Sequence, residues 1–239
     1  MDEEKKENIE VELKYQPTEE QLSSLLEGAE RLPDEKIHDV YFDFPDFKLL
    51  RKGIRLRYRI IKRKEKDGET PFEAVGFFEL KIGLGNKADL EIKDKEKIKE
   101  YLENEKDGIK QFFDTGKGLE EIVVKKENQF IPIVDFNTER RKYIKNRFII
   151  DIDEVDYGPN EEKCNICEIE LMIKDEEKIK ETKEKIKEFA EGYGLDGRGV
   201  IPKGWEYLRR FNKEIYQEIY VKKMEEKEKK KALNEIKMK

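Results

Sequence analysis

Apolar and charged residues alternate strictly in several short runs of this chain, beginning near the N-terminus. In IEVELKY (9–15), apolar residues at 9, 11 and 13 alternate with Glu10, Glu12 and Lys14. A period of two is typical of a strand with one apolar face and one charged face. The charged face either meets water or faces something that needs two carboxylates beside an ammonium group.

Similar strand-like runs recur along the chain and are separated by turns. They are IHDVYFDF (37–44), GIRLRYRII (53–61), FEAVGFFELKIG (72–83), QFIPIVDF (129–136), TERRKYIK (138–145), RFIIDIDEVDY (147–157) and CNICEIELMIK (164–174). Together with the first run they predict one closed or nearly closed antiparallel sheet. The fold class is therefore α+β, with helices packed outside the sheet.

Helical patterns lie between and after these runs. Thr18 is placed to cap a short helix, because Glu19 and Glu20 follow it. Residues 91–127 have a mixed helical pattern, 175–194 form an amphipathic helix, and a helix from 205 runs to the C-terminus. We predict a single domain over 9–220 and a charged helical tail over 221–239.

The composition narrows the choice of partners. Charged residues make up 45% of the chain, the net charge is −6 and the pI is about 5.4. An acidic surface argues against general affinity for nucleic acid or an anionic membrane. No apolar run approaches a membrane span, and MDEEKKEN does not resemble a signal peptide. We therefore expect a cytoplasmic protein that acts on a small molecule, either as a monomer or as a homodimer.

Two cysteines, Cys164 and Cys167, have a CxxC spacing. Zinc would need two further ligands, and His38 is the only histidine. We expect ordinary reduced thiols.

The charged faces carry blocks of one sign, which is unusual for solvated strands. For any one strand a solvated face remains the alternative, but like charges side by side are unfavourable unless opposite charges face them. We therefore expect an inverted barrel with a charged interior and apolar exterior. Its acids offer hard oxygen ligands suited to Mg²⁺ or Mn²⁺, and its bases suit phosphate oxygens. The acidic positions are 10/12, 151/153 and 168/170, and the basic positions are 55/57/59 and 140.

The motifs resemble those of the CYTH superfamily, the triphosphate tunnel metalloenzymes. EVELK (10–14) resembles the family's ExExK signature, and HDVYFDFPDFKLLRKGIRLRYR resembles its block ending in LRxR. FELK, TERRKY, IDIDEVDYG with EIE, and IPKGWEYLRRFNKEIY resemble its later strands and the C-terminal helix of thiamine triphosphatase-like members. The resemblance covers about residues 9–220 and implies an eight-stranded antiparallel tunnel that binds triphosphate with a divalent metal.

The resemblance also implies residue roles. Glu10, Glu12 and Lys14 would be catalytic. The metal ligands would be Glu10, Glu12, Asp151 or Asp153, Glu168 and Glu170. The triphosphate would be held by Lys14, Arg57, Arg59, Lys81, Arg140 and Lys203, with Arg55 as an additional cation and Arg141 as the alternative to Arg140.

The implied function is metal-dependent hydrolysis of the terminal phosphate of a small triphosphate, either inorganic tripolyphosphate or thiamine triphosphate. Mammalian thiamine triphosphatases resembling this chain use a tryptophan just ahead of LRxR, where this sequence has Ile54 and Arg55. That difference favours inorganic tripolyphosphate or a broad specificity. The alternatives are a class IV-type adenylate cyclase and a non-catalytic polyphosphate- or triphosphate-binding module.

Overall fold

A computed structural model describes residues 9–63, 73–85, 88–104, 130–197, 199–226 and 228–229. It contains nine strands, joined into one antiparallel sheet. Their bounds are β1 Ile9–Tyr15, β2 Glu30–Arg31, β3 Glu35–Asp43, β4 Ile54–Arg63, β5 Glu73–Gly85, β6 Ala88–Ile92, β7 Ile131–Lys145, β8 Phe148–Asp156 and β9 Cys164–Ile173.

Eight of the strands close into a barrel, as the sequence predicted. Around the barrel the order is β7-β3-β4-β5-β6-β1-β9-β8, and β8 pairs back with β7. The two-residue strand β2 adds to β7 beside this ring. Closure removes the free sheet edges, so that the backbone groups of every barrel strand have partners on both sides.

Most apolar side chains of the strands face outward, beneath helices. Ile37, Phe136 and Val155 are exceptions, since the alternation places them on the inward faces of β3, β7 and β8. One cluster includes Val11, Ile150 and Ile169, and helices α1 (Glu19–Leu26) and α4 (Ile179–Glu191) pack on it. A second cluster, around Leu56 and Phe78, lies beneath α2 (Lys48–Arg51) and α3 (Lys95–Asn104). Burying side chains of this size contributes about 1.5–3 kcal/mol each, which stabilises the inverted arrangement. Unlike these strands, β7 exposes much of its outer face, including Asp135, Asn137 and Glu139.

Local sequence explains where α1 begins. Thr18 is its N-cap, and the Thr18 hydroxyl accepts a hydrogen bond from the backbone N–H of Gln21. The Gln21 side chain in turn accepts one from the Thr18 N–H, which completes a capping box. The predicted cap is confirmed.

Two boundaries differ from the sequence prediction. The runs at 129–136 and 138–145 belong to one long strand, β7, whose pairing to β3 shifts in register near Tyr41 and Phe42. Residues 88–92, partly assigned to a helical pattern, form β6 between β5 and β1. The helix predicted over 91–127 is found at Lys95–Asn104, and 105–129 lie outside the described residues.

The chain divides into two compact units between Val200 and Ile201. In the second unit, α5 (Lys203–Phe211) ends at Asn212, whose side chain caps the next helical turn. One turn of π-helix follows over Tyr216–Val221. The prediction of a single domain over 9–220 stays a prediction. None of the helices in the described part of the chain combines the length and apolar character needed to cross a membrane.

Candidate active site

The first strand places its charged residues inside the barrel. Val11 and Leu13 are buried in the outer core, so the alternation directs Glu10, Glu12 and Lys14 inward. Lys14 Nζ lies 2.6 Å from Glu12 Oε1 and 2.7 Å from Glu168 Oε1. Burial alone would lower the pKa of Lys14, but the two carboxylates outweigh burial and raise it, so the group stays charged.

Strands β8 and β9 continue the acidic wall from β1. Glu12 is paired with Glu170, and Lys14 with Glu168, across β1 and β9. Asp151 is paired with Glu168 across β8 and β9. The structure therefore brings together the late acidic residues that the sequence proposed as metal ligands: Asp151, Asp153, Glu168 and Glu170.

Arg140 lies among these carboxylates. Its Nε and Nη2 donate to the two oxygens of Asp153, both at 2.7 Å, and Nη2 also donates to Glu168 at 2.9 Å. Nη1 contacts Asp151. Arg141 is exposed on the outer face, so Arg140 is the arginine that faces the interior. Both Asp151 and Asp153 contact Arg140, and the choice between them as metal ligand stays open.

The arginines of β4 form the opposite wall. Arg59 Nε and Nη2 donate to the two oxygens of Asp39, at 2.6 and 2.7 Å. Arg57 donates to Glu79 and lies 3.6 Å from Asp39. Arg55 donates to Asp89 on β6. Each guanidinium thus has a carboxylate partner inside the barrel.

Two donors on this wall remain without an acceptor. The Nε atoms of Arg55 and Arg57 are buried and make no hydrogen bond within the described residues. Arg57 as a whole is only 4% exposed. Buried donors normally have partners, so these two N–H groups are exceptions among the described residues.

Lys81 connects the two walls. Its ammonium group contacts Glu10 and lies 2.6 Å from Glu91. Burial alone would raise the pKa of Glu10, but Lys81 outweighs it and holds that pKa well below the ordinary range. For Glu170, burial first and the neighbouring Glu10 second raise the pKa well above the ordinary range. A hydrogen bond between these two carboxyl groups contributes to both shifts, lowering the pKa of Glu10 and raising that of Glu170.

Five inward-facing carboxylates of the described strands were missed as site residues from the sequence: Glu35, Asp39, Glu79, Asp89 and Glu91. The same alternation could have found them. Asp39 alternates with His38 and Val40, and Glu79 shares a face with Lys81. Asp89 and Glu91 were not predicted to lie on a strand because ADLEI is short and is followed directly by a helix-forming sequence. Lys142 also faces inward, 3.4 Å from Asp151.

The acidic residues include a set suited to a divalent cation. Glu10, Glu12 and Asp89 each offer a carboxylate oxygen, and these atoms lie within 4.8 Å of one another. Oxygen donors alone are the ligands that Mg²⁺ and Mn²⁺ prefer. The set therefore fits such an ion, and Asp89 joins the two glutamates that the sequence proposed.

Lys203, the last predicted triphosphate-binding residue, lies in the first turn of α5 in the second unit. Its role stays a prediction.

Comparisons with known proteins identify the fold. The family model of the CYTH domain matches residues 8–204. The PH1819 protein of Pyrococcus horikoshii has a similar structure, with a TM-score of 0.55 and 22% identity, covering 79% of this chain and 92% of that one. A proposed adenylate cyclase of Vibrio parahaemolyticus has a TM-score of 0.52 and 18% identity, covering 84% and 98% of the two chains. No curated protein sequence matches the chain significantly.

Proposed function

The chain belongs to the CYTH domain family, and from this premise we propose that it is a metal-dependent triphosphatase. It hydrolyses the terminal phosphate of a small triphosphate, inorganic tripolyphosphate or thiamine triphosphate. One observation carries the proposal. The carboxylates of the ExExK strand and the arginines of the LRxR strand line a single barrel interior, where a buried donor of Arg57 has no acceptor among the described residues.

The charge balance of the interior supports a requirement for divalent metal. Carboxylates outnumber cations among the inward-facing described residues, and most cations already contact a carboxylate. A triphosphate entering such a tunnel is repelled unless the excess negative charge is neutralised. The acids are Glu10, Glu12, Glu35, Asp39, Glu79, Asp89, Glu91, Asp151, Asp153, Glu168 and Glu170, and the cations are Lys14, Arg55, Arg57, Arg59, Arg63, Lys81, Arg140 and Lys142.

Mg²⁺ or Mn²⁺ would be held by Glu10 and Glu12 together with Asp89. When bound, the ion supplies neutralisation of phosphate charge and polarisation of phosphate oxygens. Asp151 or Asp153, Glu168 and Glu170 complete the acidic wall beside it.

The chain's own cations position the phosphates. Arg57 and Arg59 offer planar donor groups that match phosphate oxygens, and Lys81 offers a point charge between the walls. Carboxylates of the acidic wall orient a water for in-line attack on the terminal phosphorus, while the cations stabilise charge on the departing diphosphate. Lys14, which Glu12 and Glu168 hold inside the barrel, would contact the terminal phosphate. Positioning and electrostatics thus account for most of the rate.

Among substrates, inorganic tripolyphosphate fits the residues best. Ile54, at the place of the family's tryptophan, is buried in the outer core. Arg55, which follows it, adds a cation to the interior instead. A bare polyanion uses an extra cation, whereas a thiazolium ring needs an aromatic platform.

The test is phosphate release from tripolyphosphate, thiamine triphosphate and ATP, each with Mg²⁺, Mn²⁺ or EDTA. We expect metal-dependent release, with tripolyphosphate the best substrate. The variant Glu10→Gln/Glu12→Gln should lose at least about a hundredfold in rate, since several kcal/mol of charge stabilisation go with the metal. Its far-UV circular dichroism should be unchanged. The control is Glu139→Gln, on the exposed outer face.

No release from any substrate would refute a triphosphatase. Formation of cyclic AMP from ATP would then favour the cyclase, and tight binding without turnover would favour a binding module. Full activity in the double variant would refute the site.

A further inference from the structure

Arg55 and Asp89 form an ion pair across the barrel interior. Arg55 lies on β4 and Asp89 on β6, with β5 between them, and Arg55 Nη2 donates to Asp89 Oδ1. The side chains are 26% and 14% exposed, so the pair is partly buried. The Nε atom of Arg55 is buried without an acceptor. Asp89 therefore holds one end of a guanidinium whose Nε–H group has no acceptor in the described chain.

The same Asp89 carboxylate belongs to the oxygen set around Glu10 and Glu12. Its ligand atom lies within 4.8 Å of theirs, which is the range in which three oxygens can share one ion. A dication at this set would repel the guanidinium that contacts the same carboxylate, since like charges a few ångströms apart interact strongly in a partly buried site. Full engagement of Asp89 with both groups is therefore unfavourable.

Lys81 offers a useful contrast. It too contacts a candidate metal ligand, Glu10, but it has a second carboxylate at 2.6 Å in Glu91. If the metal engages Glu10, Glu91 still holds Lys81. Arg55 has no comparable second carboxylate within salt-bridge distance among the described residues. If Asp89 turns to the metal, Arg55 is therefore released. If Glu10 turns to the metal, Lys81 is still held by Glu91.

We propose that Asp89 exchanges Arg55 for the metal, and that the released guanidinium then binds the triphosphate. This inference rests on the proposed function only in that the tunnel holds a triphosphate together with a divalent metal. The exchange makes the binding of metal and the binding of triphosphate cooperative, because each ligand favours the arrangement in which Asp89 and Arg55 are apart. Such coupling is reciprocal, and values of about five- to 150-fold are typical.

Binding measurements without turnover test the exchange. Titration calorimetry would follow Mn²⁺ alone, and then imidotriphosphate, a non-hydrolysable inorganic triphosphate, in EDTA and in Mn²⁺. The proteins are the wild type, Asp89→Asn, Arg55→Gln and the control Asp135→Asn, which alters an exposed carboxylate on the outer face of β7.

The two variants should change metal affinity in opposite directions. Asp89→Asn should lower the affinity for Mn²⁺ alone by about tenfold or more, as loss of a metal-site group does. The same variant should raise the affinity for imidotriphosphate in EDTA, because its Arg55 is already released. Arg55→Gln should tighten Mn²⁺ alone, because Asp89 is no longer held. In both variants Mn²⁺ should strengthen imidotriphosphate binding by a smaller factor than it does in the wild type, because only the general neutralisation of charge remains, and the control should match the wild type.

A purely structural pair would behave differently. Unchanged Mn²⁺ affinity in Asp89→Asn, or weakened Mn²⁺ affinity in Arg55→Gln, would overturn the exchange. Since no step of this test depends on hydrolysis, an inactive wild type would refute the triphosphatase and leave the binding results to decide the exchange.

Discussion

Replacing Arg140 with glutamine tests whether the acidic wall depends on one buried cation. Arg140 is 7% exposed and contacts Asp151, Asp153 and Glu168. Glutamine keeps some length and polarity but removes the charge that the three carboxylates share, while Lys14 still contacts Glu168 and Lys142 still contacts Asp151. Removing one partner of a buried ion pair costs roughly 3–5 kcal/mol. With a urea m-value of about 2–3 kcal/mol/M, the unfolding midpoint should fall by about 1–2 M.

The matched control is Arg141→Gln. Arg141 is the next residue on the same strand but is exposed on the outer face, where substitutions usually change stability by less than about 0.5 kcal/mol. Arg140→Lys should fall between the two, because it keeps the charge and loses the paired donors to Asp153. Urea unfolding followed by circular dichroism measures all three variants. A loss below about 1 kcal/mol in Arg140→Gln, or equal losses at 140 and 141, would refute this account of the wall.

Three further outcomes follow from single side chains. Burial alone would raise the pKa of Glu79, but Arg57 and then Lys81 outweigh it and lower that pKa to about 2. The stabilisation from ionised Glu79 is therefore complete above its unfolded pKa near 4.5 and is lost as the pH falls toward 2. In acid unfolding, the free energy of unfolding of Glu79→Gln should lack about 3 kcal/mol of this pH dependence. A profile equal to that of the wild type would contradict the pairing of Glu79 with Arg57. Thr18→Ala should lower the free energy of unfolding by about 1 kcal/mol through loss of the cap, against little change in Ser23→Ala on the exposed side of α1. Burial raises the pKa of the Cys167 thiol, so Ellman's reagent should modify Cys164 in the native protein and Cys167 only after unfolding; rapid reaction of both thiols would contradict the burial of Cys167.

The alternation of apolar and charged residues was enough to predict the barrel and the inward direction of most site residues. It worked for β1, β4, β8 and β9 because each pairs a buried outer face with a charged inner face. It failed where another local signal intervened. The two predicted runs of β7 were separated at Asn137, because asparagine is depleted in strands and common in turns. The five residues of β6 were too short to stand out beside the helix pattern that follows.

The partners across the barrel could not be predicted from the sequence in the same way. Asp39 binds Arg59 because β3 and β4 place them directly opposite each other, and Arg55 reaches Asp89 across an intervening strand. Both contacts depend on strand register and barrel curvature, which a single-strand pattern does not contain. The sequence therefore identified the cations as candidate phosphate ligands without showing that carboxylates already hold them.

The ion pairs of the β4 arginines affect how phosphate can bind in the tunnel. An unpaired buried guanidinium would bind phosphate strongly but would destabilise the barrel without its ligand. Here Asp39, Glu79 and Asp89 hold the three arginines of β4, so the fold can form before any ligand arrives. Phosphate must then compete with these carboxylates for the same donors, and its net gain is the difference between two similar interactions. A divalent metal held by Glu10, Glu12 and Asp89 would shift this balance, because it would compete with Arg55 for Asp89 and would neutralise phosphate charge. Metal dependence is thus expected from the ion pairs of the tunnel as well as from the chemistry of hydrolysis.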